Sequence, residues 1–165
     1  MRRRETVKVA SHIPLLVRVY TISEGDVLEL GTGYFSTLVL RWLSEMSGRN
    51  LYSYESRGHW YNRAIQKPKP FHKVFYTPNY DDADIERHWG MVFIDHGPNA
   101  RRIVEIERLA SFADYMVIHD TSSKDDKEYH YSKIWHLFKY RYDFDLYYPP
   151  TSVVSNLKDL TKINW

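Results

Sequence analysis

The sequence predicts an α/β fold: a doubly wound, mostly parallel seven-stranded sheet with helices on both faces and an antiparallel C-terminal strand. Three observations lead there. Short apolar runs alternate with stretches of helical periodicity, the pattern of parallel strands joined by crossover helices. The run Val27 to Leu30 breaks at Gly31 and Gly33 into a turn placed directly ahead of a helical stretch. Two short strand-like runs around Pro149 and Pro150 close the chain. At 165 residues with 43% apolar content, the chain is long enough for one substantial core, so a single domain over residues 1–165 is expected.

Each element has its own warrant. Residues 11–22 place Ile13, Leu16, Val17 and Tyr20 at three-and-four spacing, an amphipathic helix ahead of the sheet. Residues 26–30 (DVLEL) read as a buried strand and residues 38–46 as the helix after it. Ser36 or Thr37 can cap that helix and Gly48 can end it. Residues 51–55 (LYSYE) are the second strand, and residues 60–66 a short helix broken by Pro68 and Pro70. Residues 73–76 (KVFY) and 91–95 (MVFID) are the third and fourth strands. Ile103, Ile106, Leu109 and Ala110 form one face of the next helix, and residues 115–119 (YMVIH) the fifth strand. Tyr131, Ile134, Trp135 and Phe138 again have helical spacing; residues 144–148 and 152–154 suggest a final strand pair.

Composition excludes several chemistries. With no cysteine there are no disulfides, thiolate metal sites or cysteine nucleophiles. A formal charge of +2 does not demand a nucleic-acid partner, and Arg2, Arg3 and Arg4 read as a solvated end to which no function is given. No run of about 18 apolar residues exists and no secretory signal order opens the chain, so a soluble, cytoplasmic protein without a membrane partner is expected. The 14 tyrosines and 5 tryptophans fit either a core or a sticky partner surface, with Trp135 read as core and the tyrosines left open.

The stretch Val27 to Thr37 (VLELGTGYFST) carries the chemistry. Gly31 and Gly33, with Thr32 between them, permit a ligand to lie against the main chain at the strand's carboxyl end. Glu29 beside that turn suits a cationic or amino-bearing ligand better than a phosphate. Glu55, followed by Ser56, stands about 20 residues beyond the turn, where an acid accepts hydrogen bonds from both ribose hydroxyls. Together these residues imply an adenosine group.

With ELGTG as a first motif and Glu55 after the second strand, the chain resembles the class I S-adenosylmethionine-dependent methyltransferases, which are Rossmann-like. FIDHGPNARRIVEIERL, YMVIHDTSS and PPTSVVSNL look, more narrowly, like the small group related to macrocin and catechol O-methyltransferases. The resemblance implies S-adenosylmethionine as cofactor, with Glu29, Gly31 and Gly33 bordering its methionine part, Glu55 its ribose, and Asp81 or Asp82 its adenine edge. It departs at Phe35, where the family's third glycine stands, and in having no room for an added substrate domain. The acceptor would then be held by an open face, by loops or by a second subunit of a homo-oligomer.

Asp95 and Asp120 end the fourth and fifth strands and should project at one rim. In metal-dependent relatives carboxylates at these places hold magnesium, so both are candidate metal ligands, although Thr121 stands where a carboxamide is expected. Without metal, Asp95 would bind substrate or the cofactor's amino group. His96 and His119 flank the two acids as candidate general bases, His119 being read more readily as a core group. His59, His72, His88 and His130 read as surface residues. The function expected is methyl transfer to an O or N acceptor, a small molecule ahead of a macromolecule. An inactive scaffold of the same fold is the alternative from another class, and a nicotinamide enzyme fits Glu29 and the missing glycine poorly.

Overall fold

The computed structural model describes residues 10–66 and 69–165. The basic residues Arg2 to Arg4 and the expected breaker Pro68 lie outside the described residues. Helix α1 (Ile13–Ile22) precedes β1 (Val27–Leu30), α2 (Ser36–Ser47), β2 (Leu51–Glu55), α3 (Gly58–Ile65) and β3 (His72–Tyr76). Then come β4 (Trp89–Ile94), α4 (Arg102–Leu109), β5 (Ala113–Ile118), a one-turn α5 (Asp126–Tyr129), β6 (Tyr140–Phe144) and β7 (Thr151–Ser155). The sheet has seven strands in the order β3-β2-β1-β4-β5-β7-β6. The first five pair in parallel, whereas β7 runs antiparallel to both β5 and β6.

Every residue of β1 and β4 is buried, as expected for central strands covered on both faces. Strand alternation sorts them into two cores. Leu28, Leu30, Ile94 and Ile118 pack with Ile106 and Leu109 of α4, and Val27, Phe93 and Val117 pack with Leu15, Leu16 and Val19 of α1. Leu16 and Val19 are fully buried, each worth roughly 1.5–3 kcal/mol of apolar burial. Glu29 lies on the same side of β1 as Val27, which puts a carboxylate inside the second core.

The structure corrects three local expectations and bears out a fourth. Ser36 and Thr37 do not cap α2: Phe35 is its N-cap and makes no side-chain bond, while both hydroxyl residues are buried in the first turn. Gly48 does end the helix, in the left-handed conformation at φ 73°. The helical spacing over residues 131–138 resolves into two 3-10 turns, Tyr131–Lys133 and Trp135–Leu137. The Tyr131 hydroxyl donates to the His119 carbonyl at 3.1 Å, and the Tyr131 and Trp135 rings pack 5.6 Å apart. The spacing there reflects contacts along the sheet end, not a continuous helix. Finally, the first strand of the C-terminal pair lies earlier than expected, while β7 contains the expected residues 152–154: Tyr140, Tyr142 and Phe144 pack on the core while Arg141 and Asp143 face out, and Leu146, Tyr147 and Tyr148 are exposed in the connection.

Candidate functional site

Strand order reverses between β1 and β4, and open parallel sheets present a crevice at that place. Gly31 has φ 88°, and a Cβ there would lie 2.6 Å from His96 Cα and 2.7 Å from the Asp95 carbonyl oxygen. The turn after β1 is thus pressed against the turn after β4. Beyond this contact the chain opens around a cavity of about 670 Å³ lined by His12, Thr32, Gly33, Tyr34, Phe35, Ser36, Trp60 and Asp95. That volume lies in the range of roughly 300–1,000 Å³ typical of small-molecule sites. Tyr34 and Trp60 meet edge to face at 4.7 Å, and Arg63 sits 4.1 Å over the Tyr34 ring.

Glu55 ties the turns after β1 and β2 together. Its Oε2 accepts from the Thr32 amide at 2.7 Å and the Thr32 hydroxyl at 3.0 Å; its Oε1 accepts from the Arg57 amide at 2.8 Å. Ser56 donates to the Gly97 carbonyl at 3.3 Å, linking the β2 and β4 turns. Of the residues expected at a cofactor, Thr32, Gly33 and Asp95 line the cavity. Glu29, Gly31, Glu55 and Ser56 do not line it, and Asp82 is exposed in the 3-10 turn Tyr80–Asp82. The neighbouring Asp81 pairs with Arg101.

Glu29 is 0% exposed and accepts from Thr37 Oγ1 at 2.9 Å and Ser53 Oγ at 2.6 Å. The Ser53 hydroxyl contacts His72 Nε2 at 2.7 Å, and His72 Nδ1 accepts from Arg41 Nε at 3.0 Å. His72 is therefore an interior group and not the surface residue the sequence suggests.

Burial pushes the Glu29 carboxyl up to about 7, with its hydroxyl donors opposing the rise. A carboxyl raised in the folded state holds its proton longer there than in the unfolded chain. The native state therefore loses stability as pH rises from about 4.5 through about 7, by about 3 kcal/mol at the upper end. Glu29→Gln is expected to flatten this part of the pH profile, measured by urea unfolding at a series of pH values. An unchanged slope in the variant would sink the assignment.

The other wall is built from the ends of β4 and β5. Arg102, 4% exposed at the start of α4, donates from Nη2 to Asp95 Oδ1 at 2.8 Å and from Nη1 to Asp120 Oδ2 at 3.2 Å. Its Nε donates to the His96 carbonyl at 2.8 Å. Tyr129 adds a hydroxyl donor to Asp120 at 3.0 Å, and Asp120 itself has a left-handed φ of 59°. The two aspartates do share a rim, as expected, but a guanidinium stands between them. A pair already bridged by a buried cation does not fit magnesium, which needs a nearly regular octahedron of oxygens.

Asp95 also contacts His119 Nδ1 at 3.2 Å. Burial alone would raise Asp95, but His119 and Arg102 outweigh it and hold the carboxyl down at about 2. His119 is pulled down by burial and raised on balance by Asp95 and Asp120. His96, expected as a candidate base, faces away from the cavity. Its ring is 1% exposed, pairs through Nε2 with Glu105 at 3.0 Å and packs against Tyr80. The loop position was legible, but the side chain's direction under α4 was not.

Two participants had no signal in the sequence reading. Arg102 looks like a solvated helix residue until α4 docks on the sheet. His12, the N-cap of α1, projects over the carboxyl ends of β4 and β5, its ring 4.9 Å from Phe93 and 4.5 Å from His119. Burial, with His119 and Arg102 nearby, lowers His12 to about 3. The adjacent Ser11 hydroxyl donates to the Pro149 carbonyl at 2.7 Å, fixing this end of α1 against the turn before β7.

No protein family and no curated protein matches the sequence. Solved structures do match the fold. NodS, an N-methyltransferase from Bradyrhizobium japonicum WM9, is similar with a TM-score of 0.64 at 9% identity, over 90% of this chain and 94% of that one. M. capricolum TrmK in complex with S-adenosyl-homocysteine gives 0.56 at 16% identity, covering 87% and 68% of the two chains. An rRNA methylase from Streptococcus thermophilus gives 0.58 at 9% identity, covering 88% and 95%. The chain thus has the Rossmann-like fold of class I S-adenosylmethionine-dependent methyltransferases. Among its described residues no helix is long and apolar enough to cross a membrane.

Proposed function

We propose that the chain is an S-adenosylmethionine-dependent methyltransferase acting on an oxygen or nitrogen acceptor. The observation that carries this reading is the cavity at the β1–β4 switch point, bounded by the Thr32 to Ser36 turn on one side and by Asp95 and His12 on the other. A neighbouring fold was solved with S-adenosyl-homocysteine bound. In this reading Thr32 and Gly33 lie along the cofactor, and exchange of the Thr32 hydroxyl for a ribose hydroxyl keeps the Glu55 carboxylate satisfied. Asp95 offers its carboxylate to the cofactor's amino group or to the acceptor. Asp120 acts through Arg102, as a positioning residue. The sulfonium is itself a reactive leaving group, so holding the acceptor in line and excluding water supplies most of the rate. We place a small molecule ahead of a macromolecule as acceptor, in keeping with the narrower resemblance to the macrocin and catechol group. A macromolecular acceptor is the second reading, favoured by Tyr34, Leu38 and Trp42, which are 56%, 64% and 59% exposed next to the turn.

Isothermal titration with S-adenosylmethionine and S-adenosylhomocysteine, with NAD as control, tests the proposal. Both adenosyl ligands are expected to bind and NAD is not. Glu55→Ala should weaken them at least ~tenfold, or about 1.4 kcal/mol, with thermal unfolding checking that the variant is folded. Folded wild-type protein that takes up neither adenosyl ligand would leave a scaffold and end the methyltransferase reading.

A further inference from the structure

We infer that His12, Asp95 and His119 form a binding site for a borderline divalent transition-metal ion such as zinc or cobalt. One ligand atom from each lies within 4.8 Å of the other two. The independent observation is His12: its ring is 2% exposed, yet neither Nδ1 nor Nε2 has a hydrogen-bond partner. Buried polar nitrogens are nearly always satisfied, and an ion in this cluster would satisfy one of these two.

The hydrogen bonds around His119 set its tautomer. Ser11 gives its single hydroxyl proton to the Pro149 carbonyl, so at the 3.1 Å contact with His119 it can only accept, and Nε2 carries the hydrogen. The Nδ1 lone pair of neutral His119 then points at Asp95 Oδ1 across 3.2 Å. Either a proton or a metal ion resolves that juxtaposition. The proton does nothing for the two free nitrogens of His12; the metal engages one of them. A separation of 3.2 Å also matches two ligand atoms on one ion at bond lengths of roughly 2.0–2.2 Å. The Ser11 contact is the outer-shell partner that metal-binding histidines commonly have.

Two imidazoles and one carboxylate select zinc, cobalt, nickel or ferrous ion over magnesium. Arg102 offsets one of the charges of Asp95 and Asp120, and the remaining negative charge suits a dication. His12 and Asp95 both line the cavity, so the ion's open positions face it and can take an oxygen or nitrogen of a bound molecule. Only that role rests on the proposed function; the ion site itself does not.

The test is titration of chelator-treated protein with Co²⁺, followed by its visible ligand-field bands, and with Zn²⁺ by calorimetry. Saturable binding at one ion per chain is expected, not displaced by excess Mg²⁺ and retained by His59→Ala. His12→Ala and His119→Gln should each weaken it by at least about 10- to 100-fold, the loss that changes to outer-shell partners alone bring, circular dichroism checking the fold. Wild-type protein that takes up no Co²⁺ or Zn²⁺, or variants that bind as tightly as wild type, would overturn the site. Binding of S-adenosylhomocysteine without metal uptake would overturn this inference alone; metal uptake without adenosyl binding would overturn only the methyltransferase reading.

Discussion

Gly31→Ala is expected to destabilise the protein by on the order of 4 kcal/mol or more, enough to leave little folded material for a domain of this size. Two costs add. A non-glycine residue must be held at φ 88°, and its Cβ must be accommodated 2.6 Å from His96 Cα, where the obstacle is backbone. Relief requires the β1 and β4 turns to separate, which would open the β1–β4 pairing through Leu30 and Ile94. Gly33→Ala is the matched control. Its Cβ would meet nothing closer than Ser36 Oγ at 3.6 Å, so stability should change by less than about 1 kcal/mol. Because Gly33 lines the cavity, that variant should lose adenosyl-ligand affinity while staying folded. Urea unfolding of both proteins, read side by side, separates the glycine that the fold needs from the one the cavity needs. Equal stabilities would contradict the geometry.

Arg102→Met should cost about 3–5 kcal/mol, the range seen when one partner of a buried ion pair is removed. The methionine fills much of the volume but supplies no charge to Asp95 or Asp120 and no donor to the His96 carbonyl. Part of the loss should be recovered by adding Asp120→Asn, since the second carboxylate no longer needs a counter-charge. A double-mutant cycle by chemical denaturation measures that coupling. Strict additivity would show that the Arg102–Asp120 contact contributes nothing. The same pair of variants bears on Asp95, whose carboxyl should titrate higher once the guanidinium is gone, with His119 left as its main charged neighbour.

What the sequence made legible follows from periodicity and turn chemistry. Strands β1, β2, β4 and β5 are short apolar runs bounded by turns, and their carboxyl ends carry Glu55, Asp95 and Asp120 to one rim because parallel strands end together. The C-terminal region was less legible. Tyr131 and Trp135 sit one helical turn apart for reasons of ring packing and the Tyr131 hydroxyl's bonds to the His119 carbonyl and Arg102, a spacing that periodicity cannot tell from a helix. Side-chain direction was the other gap. His96 and Asp95 are adjacent, yet one faces Glu105 under α4 and the other the cavity. His12 was invisible because its contacts with Phe93 and His119 span more than eighty residues of sequence.

The bond from Ser11 to the Pro149 carbonyl joins residues 138 positions apart. A chain emerging from the ribosome would have the glycine turn and the first four strands in hand well before that partner exists. The wall carrying His12 can be locked only after the segment leading into β7 has been made. The pocket is therefore among the last features to mature during synthesis, and contacts of such long sequence separation close slowly. A nascent chain arrested before Pro149 would carry every residue that lines the cavity but not the anchor that holds the His12 end of α1 in place.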